Sequence, residues 1–450
     1  MGKNWESKEE ILRFARKLEG QTLNNVEKPY ALVSSQTHKG KGAFGQFVEN
    51  IYFGIETNSR PEADFHPIQL ELKTTGLLKD NKGKLVPKER LSLGMIDFNE
   101  LASEEFETSH LVRKNAAILF LWYIYDKQAN HNDLRFDLVD IWEFIKEDYE
   151  IIKQDFEAIR EKVRNGKAHE ISEGDTYFLG ACTKAKNCTK TSSQPFCDIP
   201  AKRRAFCFKT QYMKYIYDNM VGRRAKRKSY KEEIFKAPNK TIEETILDKF
   251  GKYQGWSTVD LCREFEIQNH TKSTHSNIVR AILGAKGKDL KKTFKEFAAA
   301  DIEVKLIRLG KNGKNKESMS FPAMDYCEIA SQEWEDSSFY EYLTGKFIFP
   351  IFIYNKNKPN DYILDSVRVW NMPERDLDIV KDVWYDTKEK ILNDDYEHFI
   401  KLKDKRIAHI RPHDKKAYYN TPTPQGYLQK KKSFWLNASY IYENIVCQDK

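Results

Sequence analysis

The chain carries its own sequence twice, and a duplication restricts the fold more than any single motif can. Residues 88–107 read KERLSLGMIDFNELASEEFE and residues 316–335 read KESMSFPAMDYCEIASQEWE. At an offset of 228, Lys88 meets Lys316, Ser92 meets Ser320, Asp97 meets Asp325, Glu100 meets Glu328 and Ala102-Ser103 meets Ala330-Ser331. The same offset aligns DYEIIKQDFEAIREK (148–162) with DLDIVKDVWYDTKEK (376–390). A repeat of this length is a duplicated domain rather than a solenoid unit. The 450 residues suffice for two cores.

Each copy opens on an amphipathic helix, SKEEILRFARKLEGQT (7–22) and TIEETILDKFGKYQGWS (241–257). Each continues through a helix ending in Gly (FVENIYFG, IVRAILG), strands, a central apolar strand, a charged helix and a terminal strand and helix. The central runs NAAILFLWYIY (115–125) and KFIFPIFIY (346–354) are near-continuously apolar, as in strands buried on both faces. The order predicts α/β domains, each a mixed sheet flanked by helices. The expected bounds are 1–220 and 239–450, joined by a basic linker over 221–238.

No apolar run approaches a membrane span, and MGKNWESKEE has no secretory signal. Seven cysteines without scaffold density make a reducing cytoplasm the expected location. Cys182, Cys188, Cys197 and Cys207 invite zinc, but they lack a CxxC knuckle, so a structural role is expected. KGKGAFGQF (39–47) lacks the ending of a phosphate-binding loop. KDNKGK (79–84) and KNGKNK (311–316) are hairpin tips by composition.

The net charge of +8 is unevenly spread: residues 181–230 hold thirteen Lys/Arg against two Asp. AKRRAF (201–206) and GRRAKRK (222–228) lie there, with Tyr212, Tyr215 and Tyr217 interleaved. A concentrated basic surface with aromatics suits a polyanion; a solvated linker is the plainer account of GRRAKRK.

The chemistry sits in EADFHPIQLELKTTG (62–76). Alternation in PIQLELKT sends Ile68, Leu70 and Leu72 one way and Gln69, Glu71 and Lys73 the other. A turn at His66-Pro67 brings Asp64 beside Glu71. Two converging carboxylates with a nearby carbonyl oxygen suit Mg²⁺, and a lysine beside them can orient water or offset phosphate charge. A Glu-x-Lys alone is most often a solvated strand face.

Asp64, Glu71 and Lys73 together resemble the PD-(D/E)xK nuclease core. GQFVEN (45–50), IQLELKTTG (68–76), KERLSL (88–93) and RRAFCFKTQYM (203–213) resemble the MutH-like type II restriction endonucleases that cleave GATC. The second copy is similar to that family's C-terminal domain through AHIRPH (408–413) and KKSFWLNASYI (431–441). The resemblance implies two MutH-like domains and Mg²⁺-dependent cleavage of double-stranded DNA to 5′-phosphate ends. It implies that Asp64 and Glu71 are metal ligands helped by the Leu72 carbonyl, that Lys73 is catalytic, and that Glu49 is a further active-site carboxylate. A lysine before the central strand is also implied, matched by Lys114, with Arg113 adjacent. The RRAFCFK element would carry DNA contacts in the first copy, from Lys184, Arg203, Arg204 and Lys209. A family tyrosine that contacts a base falls on Cys207. In the second copy Arg411, His413, Lys431, Trp435 and Asn437 would contact DNA. The family further implies dimerisation on DNA or engagement of two sites, and a cognate DNA methyltransferase.

The second copy keeps Glu303-Val304-Lys305, with Glu296 seven residues ahead as Asp64 is of Glu71. Glu49 falls on Val279 or Arg280, and the stretch from Lys305 to Lys316 is four residues shorter than that from Lys73 to Lys88. The second copy is therefore expected to be a regulatory DNA-binding domain; the surviving Glu-x-Lys leaves a second working site as the alternative. Against a strand-nicking repair enzyme stands the duplication itself. Against an inactive DNA-binding module stands the intact Asp64, Glu71 and Lys73 set.

Overall fold

The computed structural model describes residues 5–26, 43–55, 62–80, 82–126, 128–184, 190–225, 235–237, 239–413 and 420–447. Cys188, most of KGKGA (39–43) and the end of GRRAKRK therefore lie outside the described residues. Two compact units result: Met1–His169 with Thr176–Tyr230, and Glu170–Asp175 with Lys231–Lys450. Glu170–Asp175, expected within the first domain, group with the second unit. The first four linker residues continue the helix Thr210–Arg224, and Phe235 is already buried in the second unit.

In the first unit β1 (Glu71–Lys79), β2 (Leu85–Pro87), β4 (Ala117–Ile124) and β5 (Phe136–Glu143) form a sheet ordered β2-β1-β4-β5. β1 runs parallel to β4, with Glu71 opposite Ile118 and Lys73 opposite Phe120; β2 and β5 are antiparallel. β4 is buried on both faces, as its apolar run requires. Leu119 and Leu121 join Leu70 and Leu72 in a core with Ile11, Val48 and Phe53 from the helices Lys8–Ala15 and Val48–Phe53. On the other face Trp122 stacks with Phe120 and meets Tyr217 of the helix Thr210–Arg224. A second sheet, β3-β9-β6, joins β3 (Leu91–Met95), β6 (Leu179–Thr183) and β9 (Arg204–Phe208). β7 (Thr191–Gln194) and β8 (Cys197–Lys202) make a separate hairpin.

The second unit repeats this plan. β10 (Glu303–Val304) and β11 (Ile307–Leu309) run parallel to β13 (Phe347–Tyr354), which pairs with β14 (Tyr362–Trp370). β12 (Met319–Ala323), β18 (Lys432–Leu436) and β15 (Ala408–Pro412) repeat the second sheet, and β16 (Asn420–Pro422) with β17 (Leu428–Lys430) the hairpin. The offset of 228 survives in detail. Lys146–Arg164 corresponds to Glu374–Leu392, both 19 residues. Asp97 and Asp325 cap equivalent helices, as do Ser109 and Ser337. A buried Tyr–Asp pair also repeats: Tyr212 Oη donates to Asp148 at 3.1 Å, and Tyr440 Oη to Asp376 at 2.7 Å.

The two copies part at their first strand. β1 is continuous over nine residues, whereas its counterpart breaks between Val304 and Ile307. Among the described residues no helix is long and apolar enough to cross a membrane.

The repeated Tyr–Asp pairs predict paired effects on stability. Tyr212→Phe and Tyr440→Phe each withdraw a donor from a buried carboxylate, which costs about 1–3 kcal/mol. Urea denaturation should show comparable losses for the two variants.

Candidate active site

The expected strand from Pro67 does not form. His66–Ile68 make a 3₁₀ turn, and Gln69 takes a left-handed conformation with φ 52° and ψ 52°. Phe65 then pairs with Leu70 across the turn, its N–H donating to the Leu70 carbonyl at 3.0 Å. This turn does what the sequence reading required of it. The Asp64 N–H donates to Glu71 Oε2 at 3.2 Å, and the Leu72 N–H donates to Asp64 Oδ2 at 2.9 Å. In extended backbone the N–H and carbonyl of one residue point to the same strand edge. The Leu72 carbonyl is thus turned toward Asp64.

Glu71 is 1% exposed, and two lysines compensate its charge. Lys73 Nζ lies 2.5 Å from Oε1, two residues along the same face. Lys114 Nζ, from the helix His110–Asn115 that leads into β4, is 3.8 Å from the same oxygen. Arg113 points elsewhere, lining a pocket with Glu62, His66, Gln69 and His110. Glu49 completes the group from a π-helical turn, Val48–Phe53. Such turns occur often at functional sites, and no sequence pattern announced this one.

Burial raises the Glu49 pKa above the usual carboxylate range, with Asp64 and Glu71 adding to the rise and Lys73 and Lys114 opposing it. Burial also raises that of Glu71, against Lys73. Glu49, Asp64, Glu71, Lys73 and Lys114 therefore share one field. Three carboxylates against two ammoniums leave one negative charge, with hard oxygen donors that suit Mg²⁺. As they stand, no three acidic, His or Cys side chains among the described residues are gathered closely enough to hold an ion. Lys73 occupies Glu71 Oε1, and the Asp64 N–H takes Oε2.

The second copy is arranged differently. Glu296, expected in the place of Asp64, is buried and turned onto the linker, accepting from the Phe235 N–H at 3.1 Å and the Lys236 N–H at 3.4 Å. Lys291 Nζ donates to Asp301 at 2.6 Å and to Glu303, while Lys305 lies 3.8 Å from Glu303. Asp301 and Glu303 hold the Lys291 ammonium well above the usual lysine range despite burial. At the offset of 228, Lys114 is replaced by Tyr342, and Val279 is a buried apolar residue. Two carboxylates against two ammoniums leave no net charge. Lys291 had no signal in the sequence, because it lies outside the Glu-x-Lys pattern.

The residues expected to meet DNA separate into two groups. β15 and β18 present Arg411, His413, Lys431 and Trp435 on one face, since Arg411 opposes Ser433 and His409 opposes Trp435. The Arg411 guanidinium lies 5.2 Å from the Trp435 ring, and His413 Nδ1 is 2.5 Å from Ser433 Oγ. On the same face His409, opposite Trp435, is fully buried, its pKa lowered to about 4 by burial and Arg411. Asn437 is 3% exposed; its side-chain amide donates to the Arg406 carbonyl, and it stands at the N-terminus of the helix Ala438–Ile441 without a side-chain hydrogen bond to it. In the first unit Lys184 and Arg203 are exposed at the end of β6 and β9. Arg204, however, is 1% exposed, donating to the Ala181 carbonyl at 2.6 Å, and Lys209 donates to the Thr176 carbonyl at 2.6 Å. Neither is presented to a groove in this structure. Cys182, Ala205 and Cys207 form a small buried cluster there, as expected of structural cysteines.

The family model described as the DNA mismatch repair enzyme MutH matches residues 53–155 and 287–382, once in each unit. The type II restriction enzyme Sau3AI of Staphylococcus aureus is 34% identical across 90% of this chain and 93% of its own length. The DNA mismatch repair protein MutH of Escherichia coli K12 is 31% identical over 26% of this chain and 49% of its own length.

The raised pKa of Glu49 fixes a pH dependence. A carboxyl whose folded pKa lies above its unfolded value costs stability above both pKa values and costs nothing below them. Glu49→Gln should raise the melting temperature at pH 7, with the gain fading as the pH falls toward the ordinary carboxylate range. Calorimetry across that range checks the sign.

Proposed function

The chain belongs to the MutH-like type II restriction endonuclease family and is a site-specific deoxyribonuclease; we propose that its first unit hydrolyses DNA with Mg²⁺ and that its second unit binds DNA without cutting. The observation that carries this reading is the charge of the two sites: one net negative charge among Glu49, Asp64, Glu71, Lys73 and Lys114, and none among Lys291, Asp301, Glu303 and Lys305.

Asp64, Glu71 and the Leu72 carbonyl would hold the metal. A bound divalent cation supplies Lewis acidity at the scissile phosphate and lowers the pKa of water. Lys73, released from Glu71, positions the attacking water and offsets phosphate charge. Lys114 keeps the Glu71 carboxylate compensated, and Glu49 completes the shell of the metal or the water. In the second unit Lys291 bridges the carboxylates that would otherwise take the cation. Arg411, His413, Lys431 and Trp435 offer donors and a ring to phosphate and base edges; in the first unit Cys182 and Cys207 stand in the places of Arg411 and Trp435, while Lys184 and Arg203 match His413 and Lys431. The family resemblance extends the proposal to cutting ahead of the G of GATC, to binding of a second site that activates the first, and to a cognate methyltransferase.

Plasmid cleavage in Mg²⁺ separates the parts. Asp64→Ala, Glu71→Ala and Lys73→Ala should each abolish cutting while leaving DNA binding in place. Glu303→Ala with Lys305→Ala should leave the chemistry largely intact. Turnover by the Asp64 or Glu71 variants would refute the site, and loss of one strand cut in the double variant would refute the division. Arg411→Ala should weaken binding and flatten its salt dependence, since fewer counterions are released. Sequenced ends of digested genomic DNA test GATC; termini at an unrelated motif would overturn it.

A further inference from the structure

The β7–β8 hairpin of the first unit carries an aromatic residue where a hairpin has least reason to hold one. Gln194 pairs with Cys197, leaving Pro195 and Phe196 as a two-residue turn. Proline fixes φ near −65°, and Phe196 has φ 64°, the sign pattern of a type II turn, whose second central place favours Gly or Asn. A bulky residue there is strained. Burial of the ring does not compensate, because Phe196 is 75% exposed and Ile199 beside it 53%. The matching hairpin of the second unit turns without such strain, with Gly426 supplying a φ of 92°.

The turn is also held rigidly. A Cβ at Gly166 would lie 2.8 Å from the Phe196 carbonyl oxygen, so the backbone is pressed against that glycine. The buried Gln194 side chain accepts from the Ala168 N–H at 2.8 Å and donates to the Ile199 carbonyl at 2.5 Å, and it meets His169 at 3.0 Å. At the hairpin base the Lys184 N–H donates to the Arg203 carbonyl and the Arg203 N–H to the Lys190 carbonyl, which groups three exposed cations. Asp198 is the one exposed carboxylate on β7 and β8. A strained, projecting, apolar tip above a basic base has the character of side chains that wedge between stacked bases while cations hold phosphate.

We propose that Phe196 is a DNA wedge: with Lys184, Lys190 and Arg203 on the backbone, its ring enters a base step and unstacks it, positioning the duplex for cleavage by the first unit. This rests on the DNA-cleaving function. It also gives the first unit an aromatic contact that its strand face, with Cys182 and Cys207 in the places of Arg411 and Trp435, lacks.

The test uses full-length protein carrying Asp64→Ala, so that the strands stay intact. Duplexes containing one mapped recognition site carry 2-aminopurine at one position at a time across the site and its flanks. Binding should raise fluorescence at a single step. Phe196→Ala on the same background should abolish that rise and weaken binding by about fivefold or more, the scale of lost base–aromatic stacking; Phe196→Trp should retain both. Phe196→Asn, which suits the left-handed turn, should raise the melting temperature of the free protein while losing the fluorescence change. No rise at any step, or a rise that survives Phe196→Ala, overturns the proposal. So does a lower melting temperature in Phe196→Asn, which would make the ring a packing element, or a change in the oligomeric state of DNA-free protein, which would make the tip a self-contact. Cleavage by the Asp64→Ala protein would instead refute the active-site assignment and leave the wedge to be read from the same fluorescence series.

Discussion

A carboxylate held at the end of a buried strand must have its charge compensated, and the rest of the active site follows from how that is done. Glu71 is fixed by the parallel pairing of β1 with β4, which sets it opposite Ile118 and removes it from water. Leaving such a charge alone would cost several kcal/mol. Lys73 comes from the same strand face, and Lys114 from the helix that leads into β4. One strand register thus places both lysines. The Asp64 turn adds a second carboxylate through backbone hydrogen bonds rather than charge pairing, so the cluster keeps an excess of negative charge.

The second unit solves the same problem with a third lysine. Lys291 reaches both Asp301 and Glu303, and Lys305 remains on Glu303. Once that bridge exists, a counterpart of Asp64 has no charge to share, and Glu296 instead accepts two backbone N–H groups of the linker. The break between β10 and β11 falls at this point. What stays common to the copies is what packing needs: the 19-residue helix, the Ser and Asp caps, and the buried Tyr–Asp pair. Around the first strand the divergence falls on side chains whose charge no core contact fixes.

Much of this was legible in the sequence because it depends on period and spacing. The constant offset of 228 carried the architecture, the apolar runs marked β4 and β13, and the alternation put Glu71 and Lys73 on one face. Features that depend on tertiary context were not legible. The alternation in PIQLELKT suggested a strand, but Gln69 turns left-handed and delays it to Glu71. Arg204 looked like a DNA contact within a basic run, yet strand alternation turns it inward onto the Ala181 carbonyl. Asn437 was expected at DNA and lies at a helix N-terminus instead. The π turn that carries Glu49 leaves no mark on residue spacing, and Lys291 is twelve residues from the Glu303 it compensates.

The two sheets of each unit divide the work in opposite senses. In the first unit the β1–β4 edge has surplus charge for a cation, while the β6–β9 face is filled by Cys182, Ala205 and Cys207, none of which reads a base edge. In the second unit the equivalent edge is neutral, while the β15–β18 face carries Arg411, His413 and Trp435. Both kinds of polar apparatus cost stability through desolvation, one of carboxylates and the other of polar groups such as the fully buried His409 on the β15–β18 face. After duplication each copy can abandon one of them and recover that stability with small or neutral side chains. Under the proposed division binding strength is adjustable at Trp435, whereas the groups that set the field at Glu71 are Lys73, Asp64 and Lys114 of the first unit.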